Sequence, residues 1–331
     1  MNKDTGFAAI DLGSHTIRMV VASVADGREI VPVRTERRIT RLAANFDEGG
    51  TLKRPSMQES LRVLKEYSQI LIDLDVRRVK CGATGVVRRA ANGEEFLREV
   101  RELTGIGGSI VSEHDEALLS TRGALSVLPR PEGLVLAFDL GGSSTEFFLA
   151  DPRKPDPLFI TSVFIGAATA TARHLPGDPP ERESIRLAEK AIYETLSPTL
   201  KAIGPQPSLQ IVGTAGTVTT LAAMRLKMTE YEPFRVNGLV LDADWLDGTM
   251  DRLASLPFRE RREIAGLEKG REDIILGGAL IVRAILRGLG KRELTVTDGG
   301  FLEGLLLDIV EKEHGLPQSL VTPLTWRLKK E

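Results

Sequence analysis

Phe7, Ala8, Ala9 and Ile10 form an apolar run that meets the turn formers Asp11-Leu12-Gly13-Ser14, and β-branched apolar residues resume at Ile17, Val20 and Val21. This pattern predicts a strand, a tight turn and a second strand. Residues 30–39 read as a charged strand, after which the Gly49-Gly50 pair interrupts the chain. From Ser56 the period changes, with Leu61, Leu64, Tyr67, Ser68 and Leu71 at helical spacing. Residues 77–83 predict another strand, and residues 94–103 a helix closed by Gly105. Strands and helices alternate, which is the pattern of an α/β layer fold.

The opening pattern returns later. Residues 134–138 are again apolar, again end in Asp139-Leu140-Gly141-Gly142, and are again followed by a strand over residues 145–150. Two copies of one strand–turn–strand unit predict two similar domains facing each other across a cleft. Pro129, Pro131 and Gly133 interrupt a helix that starts near Glu113, which places the expected boundary there: one domain over 1–128 and a second over 129–316. In the later half, residues 176–180 predict a surface loop, residues 181–202 a helix and residues 209–213 a strand leading to a glycine-bearing turn at 214–217. Helices follow near 242–254 and 271–287, then a strand at 294–297, the turn Asp298-Gly299-Gly300 and a helix through Glu313. Residues 317–331 are expected to be a loosely attached tail.

Composition narrows the classes. The 331 residues carry 44 basic and 46 acidic side chains, are 42% hydrophobic and include one cysteine. Disorder, collagen-like repeats and a disulfide scaffold are excluded, and the lone Cys81, in an expected buried strand, reads as core. Asp4 and Asp11 break the apolar run a secretion signal would need. The longest apolar run, residues 274–282, is nine residues including two glycines, against the roughly twenty that span a bilayer. A cytoplasmic protein with no membrane partner is expected. Net charge of −2 also speaks against a general nucleic-acid binder.

The turns offer chemistry. Backbone N–H groups at Gly13 and Ser14, with the Ser14 and Thr16 hydroxyls beside them, suit phosphate oxygens, and Asp11 at the strand end suits a divalent cation. Gly141, Gly142, Ser143 and Ser144 supply such donors more densely, with Asp139 and Glu146 as paired carboxylates. Either turn alone is also what an ordinary hairpin needs; both together, in corresponding places, point to a phosphate chain gripped from two sides. Gly213, Thr214 and Gly216 lie between a strand and a helix, where N–H groups and the helix dipole would face an anion.

These turns, together with Thr297-Asp298-Gly299-Gly300, resemble the phosphate motifs of the superfamily of actin, heat-shock ATPases and sugar kinases. In order and detail the chain resembles the exopolyphosphatase and guanosine pentaphosphate phosphohydrolase (Ppx/GppA) family over nearly its whole length, through residues 7–19, 84–92, 112–117, 138–146 and 271–275. The resemblance implies two actin-like (ribonuclease H-like) α/β domains with mixed sheets. It implies Glu116 as the general base, Arg88 as a phosphate-binding arginine, and Asp139 and Glu146 as ligands of Mg²⁺ or Mn²⁺. The expected reaction is release of orthophosphate from the end of inorganic polyphosphate, with guanosine pentaphosphate (pppGpp) as the alternative substrate and a homodimer as the assembly. A chain ending at residue 331 lacks the additional domains of longer relatives, so short polyphosphate is expected.

Some positions depart from the family pattern: His15 stands for asparagine, Ser143 and Ala215 for glycines, and Leu302 for a common arginine, which puts substrate preference in question. Two basic clusters, Arg34, Arg37, Arg38, Arg41 and Arg259, Arg261, Arg262, read as solvated surface or as a grip on a long polyanion. His114, beside Glu116, could share a proton or be incidental. A small-molecule kinase of the same fold would leave the Arg88 and Glu116 stretches unexplained. A polyphosphate or nucleotide sensor without turnover would rest on the altered glycines and Leu302.

Overall fold

The computed structural model describes residues 6–44, 46, 50–129, 131, 133–154 and 156–327. Gly49 of the expected chain break, and Asp4 of the N-terminal stretch, lie outside the described residues. The chain divides into two compact units, one of residues 1–127 with 301–331 and one of residues 128–300.

The first unit opens with β1 (Phe7–Leu12), β2 (Thr16–Ala25) and β3 (Glu29–Ile39), an antiparallel meander. Helix α1 (Arg54–Asp73) leads to β4 (Arg78–Ala83), parallel to β1. Helices α2 (Gly85–Arg89) and α3 (Gly93–Thr104) precede β5 (Gly108–Ile110) and α4 (Glu113–Ser126). Alternation along β1 sends Ala8, Ile10 and Leu12 toward α1, where they meet Leu61, Leu64 and Tyr67. Phe7 and Ala9 point to the opposite face.

The second unit repeats the plan. Strands β6 (Val135–Leu140), β7 (Thr145–Ala150) and β8 (Phe159–Val163) form its antiparallel meander, followed by α5 (Ala167–His174) and α6 (Arg182–Ile203). Strand β9 (Gln210–Thr214) runs parallel to β6. Then come α7 (Ala215–Arg225), α8 (Pro233–Val236), β10 (Val240–Asp242), α9 (Ala243–Ser255), α10 (Phe258–Arg261), α11 (Ile275–Gly288) and β11 (Glu293–Val296). Each unit thus holds one six-stranded mixed sheet flanked by helices, in the orders β12-β3-β2-β1-β4-β5 and β10-β11-β9-β6-β7-β8. The α/β expectation and the strand–turn–strand echo stand.

The helix after residue 300 corrects the expected division. Helix α12 (Phe301–His314) belongs to the first unit, not to a domain spanning 129–316. Its Leu305, Leu306 and Val310 pack on Phe7, Ala9, Val20 and Ala22, each fully buried leucine contributing about 1.5–3 kcal/mol. Close approach requires bare backbone: a Cβ at Gly82 would stand 2.8 Å from Phe301 Cζ, and one at Gly304 would collide with the Leu119 carbonyl on α4.

The tail is not loose over its described part. Arg122 on α4 pairs with Glu311 on α12, both almost fully buried, and its Nε donates to Ser319 O at 2.9 Å. Thr322 Oγ1 donates to Glu311 at 2.7 Å, and Trp326 Nε1 to Ser126 Oγ at 3.0 Å. Strand β12 (Thr325–Trp326) then joins the sheet edge parallel to β3.

Candidate active site

In the first unit the β1–β2 turn is closed by the Gly13 N–H donating to Thr16 O at 3.1 Å. That donor, expected to face phosphate, is therefore occupied. Ser14 Oγ accepts from the Val86 N–H at 3.0 Å, which docks the start of α2 on the turn. Gly85 stands there at φ 46°, and a Cβ on it would sit 2.5 Å from Ser14 Oγ. Three residues beyond Gly85, Arg88 Nη1 donates to Glu116 Oε2 at 2.6 Å and to Val111 O at 2.9 Å. Glu116 lies in the first turn of α4, behind the N-cap Ser112, whose side chain accepts from the Asp115 N–H. Ser14, Arg88 and Glu116, distant in sequence, are thus joined through α2. His114 is exposed on the same turn, with no hydrogen bond among the described residues.

Asp11, expected as a metal ligand, is engaged by a side chain of its own sheet. Its Oδ2 accepts from both Nε and Nη2 of Arg18, each at 3.2 Å, and burial pushes its carboxyl up more strongly than Arg18 pulls it down. The cause lies in the register. Asp11 is opposite Arg18 on β2, while at the matching place Asp139 is opposite Glu146 on β7. One copy carries an ion pair where the other carries two carboxylates.

The second turn is closed the same way, Gly141 N–H to Ser144 O at 3.0 Å, so Gly141 too has its donor occupied. The carbonyls of Gly141 and Gly142 accept from the first N–H groups of α5, at Ala167 (3.0 Å) and Ala168 (2.8 Å). Gly142 and Ser143 are exposed, and their N–H groups have no partner among the described residues. Two donors remain for a phosphate. Glu146 Oε1 accepts from Ser162 Oγ at 2.9 Å. Asp139 and Glu146, both partly exposed beside the donors, offer the hard oxygen ligands that Mg²⁺ takes. Among the described residues no group of three or more potential metal ligands converges.

At the end of β9 the expected turn over 214–217 is instead the first turn of α7. Gly213 and Thr214 are buried and hold the loop together rather than face outward: Gly213 O accepts from the Thr297 N–H at 3.0 Å, and Thr214 Oγ1 donates to Gly299 O at 2.8 Å. Ala215 has φ 72°, the left-handed region where glycine is at ease. Gly216 carries a residue that sequence reasoning did not assign. A Cβ there would lie 2.5 Å from Cζ of Arg271, whose guanidinium rests against the start of α7 while its Nε donates to Glu268. Arg271 was expected to open a helix; it stands in the turn before α11.

Other expectations resolve by burial. Cys81 is core, its thiol pushed up to about 12 by burial, with the nearby Asp11 adding to it. Leu302 is 2% exposed and packs in the first unit's core, so its side chain is not offered to a substrate. Arg34 and Arg38 share Glu36 on the surface of β3. Arg261 is not solvated at all, at 1% exposure.

The model of the Ppx/GppA phosphatase family matches residues 20–313. The chain belongs to the Ppx/GppA phosphatase family. Exopolyphosphatase 2 of Mycobacterium tuberculosis is 31% identical over 318 residues, 92% of this chain and 98% of that protein. The crystal structure of the Aquifex aeolicus Ppx/GppA family member superposes with a TM-score of 0.82 at 33% identity, covering 93% of this chain and 98% of that one. An exopolyphosphatase from Cytophaga hutchinsonii shares the fold at 23% identity, with a TM-score of 0.81 over 95% of this chain and all of that one. The chain is accordingly a phosphatase-family enzyme with the actin-like fold. Among the described residues no helix is long and apolar enough to cross a membrane.

Proposed function

We propose that the protein releases orthophosphate from the end of inorganic polyphosphate. The observation that carries this reading is the Arg88–Glu116 hydrogen bond docked, through α2, on the Ser14 turn. It places a cation for phosphate beside a carboxylate able to take a proton from water. An incoming terminal phosphate competes for the Arg88 guanidinium, which releases a Glu116 lone pair toward water. Glu116 takes the water proton as the oxygen attacks the terminal phosphorus, the P–O bond to the bridging oxygen breaks, and the shortened chain leaves with that oxygen and the electron pair of the broken bond. On the second unit the N–H groups of Gly142 and Ser143, without a partner among the described residues, and the guanidinium of Arg271 offer further donors of the kind phosphate takes. Asp139 and Glu146 would hold Mg²⁺, which supplies neutralisation of phosphate charge.

The relatives support the substrate class, and a cytoplasmic homodimer follows the same family reading; light scattering after gel filtration checks the dimer. The deciding experiment measures phosphate release from polyphosphate, pppGpp and ATP side by side on purified protein with Mg²⁺. Release from polyphosphate ahead of the others supports the reading. Preference for pppGpp would transfer the same chemistry to the nucleotide, and binding of polyphosphate without release would replace the enzyme by a sensor.

A further inference from the structure

Among the described residues Arg261 is a buried cation that hydrogen-bonds no carboxylate, the charges of Asp178 and Asp273 acting on it only from a distance. Its Nε donates to Leu253 O at 2.8 Å and its Nη1 to Glu272 O at 3.1 Å. The guanidinium carbon lies 5.0 Å from the centre of the Phe258 ring. Nη2 is buried and has no partner among the described residues. Desolvation opposes the charged form of such a group, and a leucine or methionine would fill the space without that penalty. Packing alone therefore does not account for a guanidinium here.

Its role is visible in what it grips. Glu272 is itself buried, its Oε1 accepting from Arg262 Nε at 2.6 Å and its Oε2 from the Gly270 N–H at 2.6 Å. Burial alone would raise the Glu272 carboxyl, but hydrogen bonds from the backbone and Arg262 outweigh it and keep the group below its usual range, hence charged. Arg271 stands between these two anchored residues. The backbone before it is fixed through the Glu272 carboxylate and the backbone after it through Arg261. Its guanidinium then rests on Gly216, at the positive end of α7. A cation is unwelcome at a helix N-terminus; the Glu268 carboxylate accepts from Arg271 Nε, and the fixed backbone keeps this pair over α7.

We propose that Arg261 and Glu272 are positioning residues that hold Arg271 over the start of α7, so that a substrate phosphate meets helix N–H groups and guanidinium already aligned. This rests on the functional reading above, in which Arg271 receives phosphate. Pre-orientation matters because the ordering of a charged side chain otherwise subtracts from binding.

The test uses Glu272→Gln, Arg261→Lys and Arg261→Met, each alone and combined with Arg271→Gln. Calorimetry reads binding of the non-hydrolysable imido analogue of tripolyphosphate, and kinetics read KM and kcat for tripolyphosphate. The expected result for each single variant is binding weaker by about tenfold, the worth of one well-placed charged hydrogen bond. KM rises in parallel while kcat holds within about twofold, the mark of lost uniform binding. In the Arg271→Gln background the same changes add nothing. Losses that add to that of Arg271→Gln, or Glu272→Gln binding like the parent while Arg271→Gln binds weakly, overturn the proposal. Thermal melts accompany each variant; if the Arg261 variants do not fold, Glu272→Gln, which leaves the Arg261 bonds to carbonyl groups in place, decides alone. A parent that binds no analogue, or Arg271→Gln binding like the parent, overturns the functional reading and this proposal with it.

Discussion

Arg88 donates to Glu116 before any substrate arrives, which holds the carboxylate in place until phosphate intervenes. Glu116→Gln preserves shape and loses basicity, so turnover should fall by about 10² to 10⁴ while polyphosphate binding persists, as phosphate release and calorimetry would show. Asp139→Asn and Glu146→Gln should each raise the Mg²⁺ concentration needed for half-maximal rate, and excess EDTA should abolish release; activity surviving EDTA would remove the cation from the reaction. Ala215, at φ 72°, predicts a gain: Ala215→Gly relieves left-handed strain of about 1–2 kcal/mol against an unfolded-state entropy cost of about 0.5–1 kcal/mol. The net rise in stability should appear as a higher melting temperature. At this scale the Asp-Leu-Gly turns were legible in the sequence, whereas Glu116 and Arg88 were singled out by the family resemblance, and the fold brings their side chains into hydrogen-bond contact. It did not show that Gly13 and Gly141 close their own turns, because that depends on backbone dihedrals. The Arg18 that occupies Asp11 was legible in principle, since the two eight-residue motifs align and Arg18 takes in the first the position that Glu146 takes in the second.

Elements with a long period were readable, and short ones were not. Helix α1 and strands β2, β3 and β7 follow from their apolar spacing, whereas β5, β10 and β12 are too short to display a period. The apolar face of α12 was visible, but periodicity states that a face is buried and not against which sheet. Beyond its apolar face, Asp308 ties α12 to β4: it accepts from Lys80 and from Lys312 at 2.9 Å, and from Gln318 at 2.7 Å. Burial opposes the charged form, yet the two lysines prevail and hold the carboxyl below its ordinary 3.8. A depressed carboxyl contributes stability that is present above the unfolded value and lost as pH falls through the folded one. Asp308→Asn should therefore be less stable than the parent at pH 7 by about 1–3 kcal/mol, with the gap closing below roughly pH 4. Urea titrations across that range measure it; a gap independent of pH would mean the charge is irrelevant.

The two units differ in how the chain supplies them. Residues 128–300 are one continuous segment with their own core, while the other unit takes its sheet and helices from residues 1–127 and its second helical face from α12. A fragment of residues 128–300 should melt cooperatively by circular dichroism, and a fragment of residues 1–127 should not, because Phe7, Ala9, Val20 and Ala22 would lie bare to water; addition of a peptide covering 301–327 should restore it. That division also orders the birth of the molecule. During synthesis residues 1–127 must wait, half-covered, until residues 301–327 appear, which follow the whole of the continuous unit. A released chain lacking residues 301–327 would therefore carry a finished domain and an open sheet, the state in which a chaperone has most reason to bind.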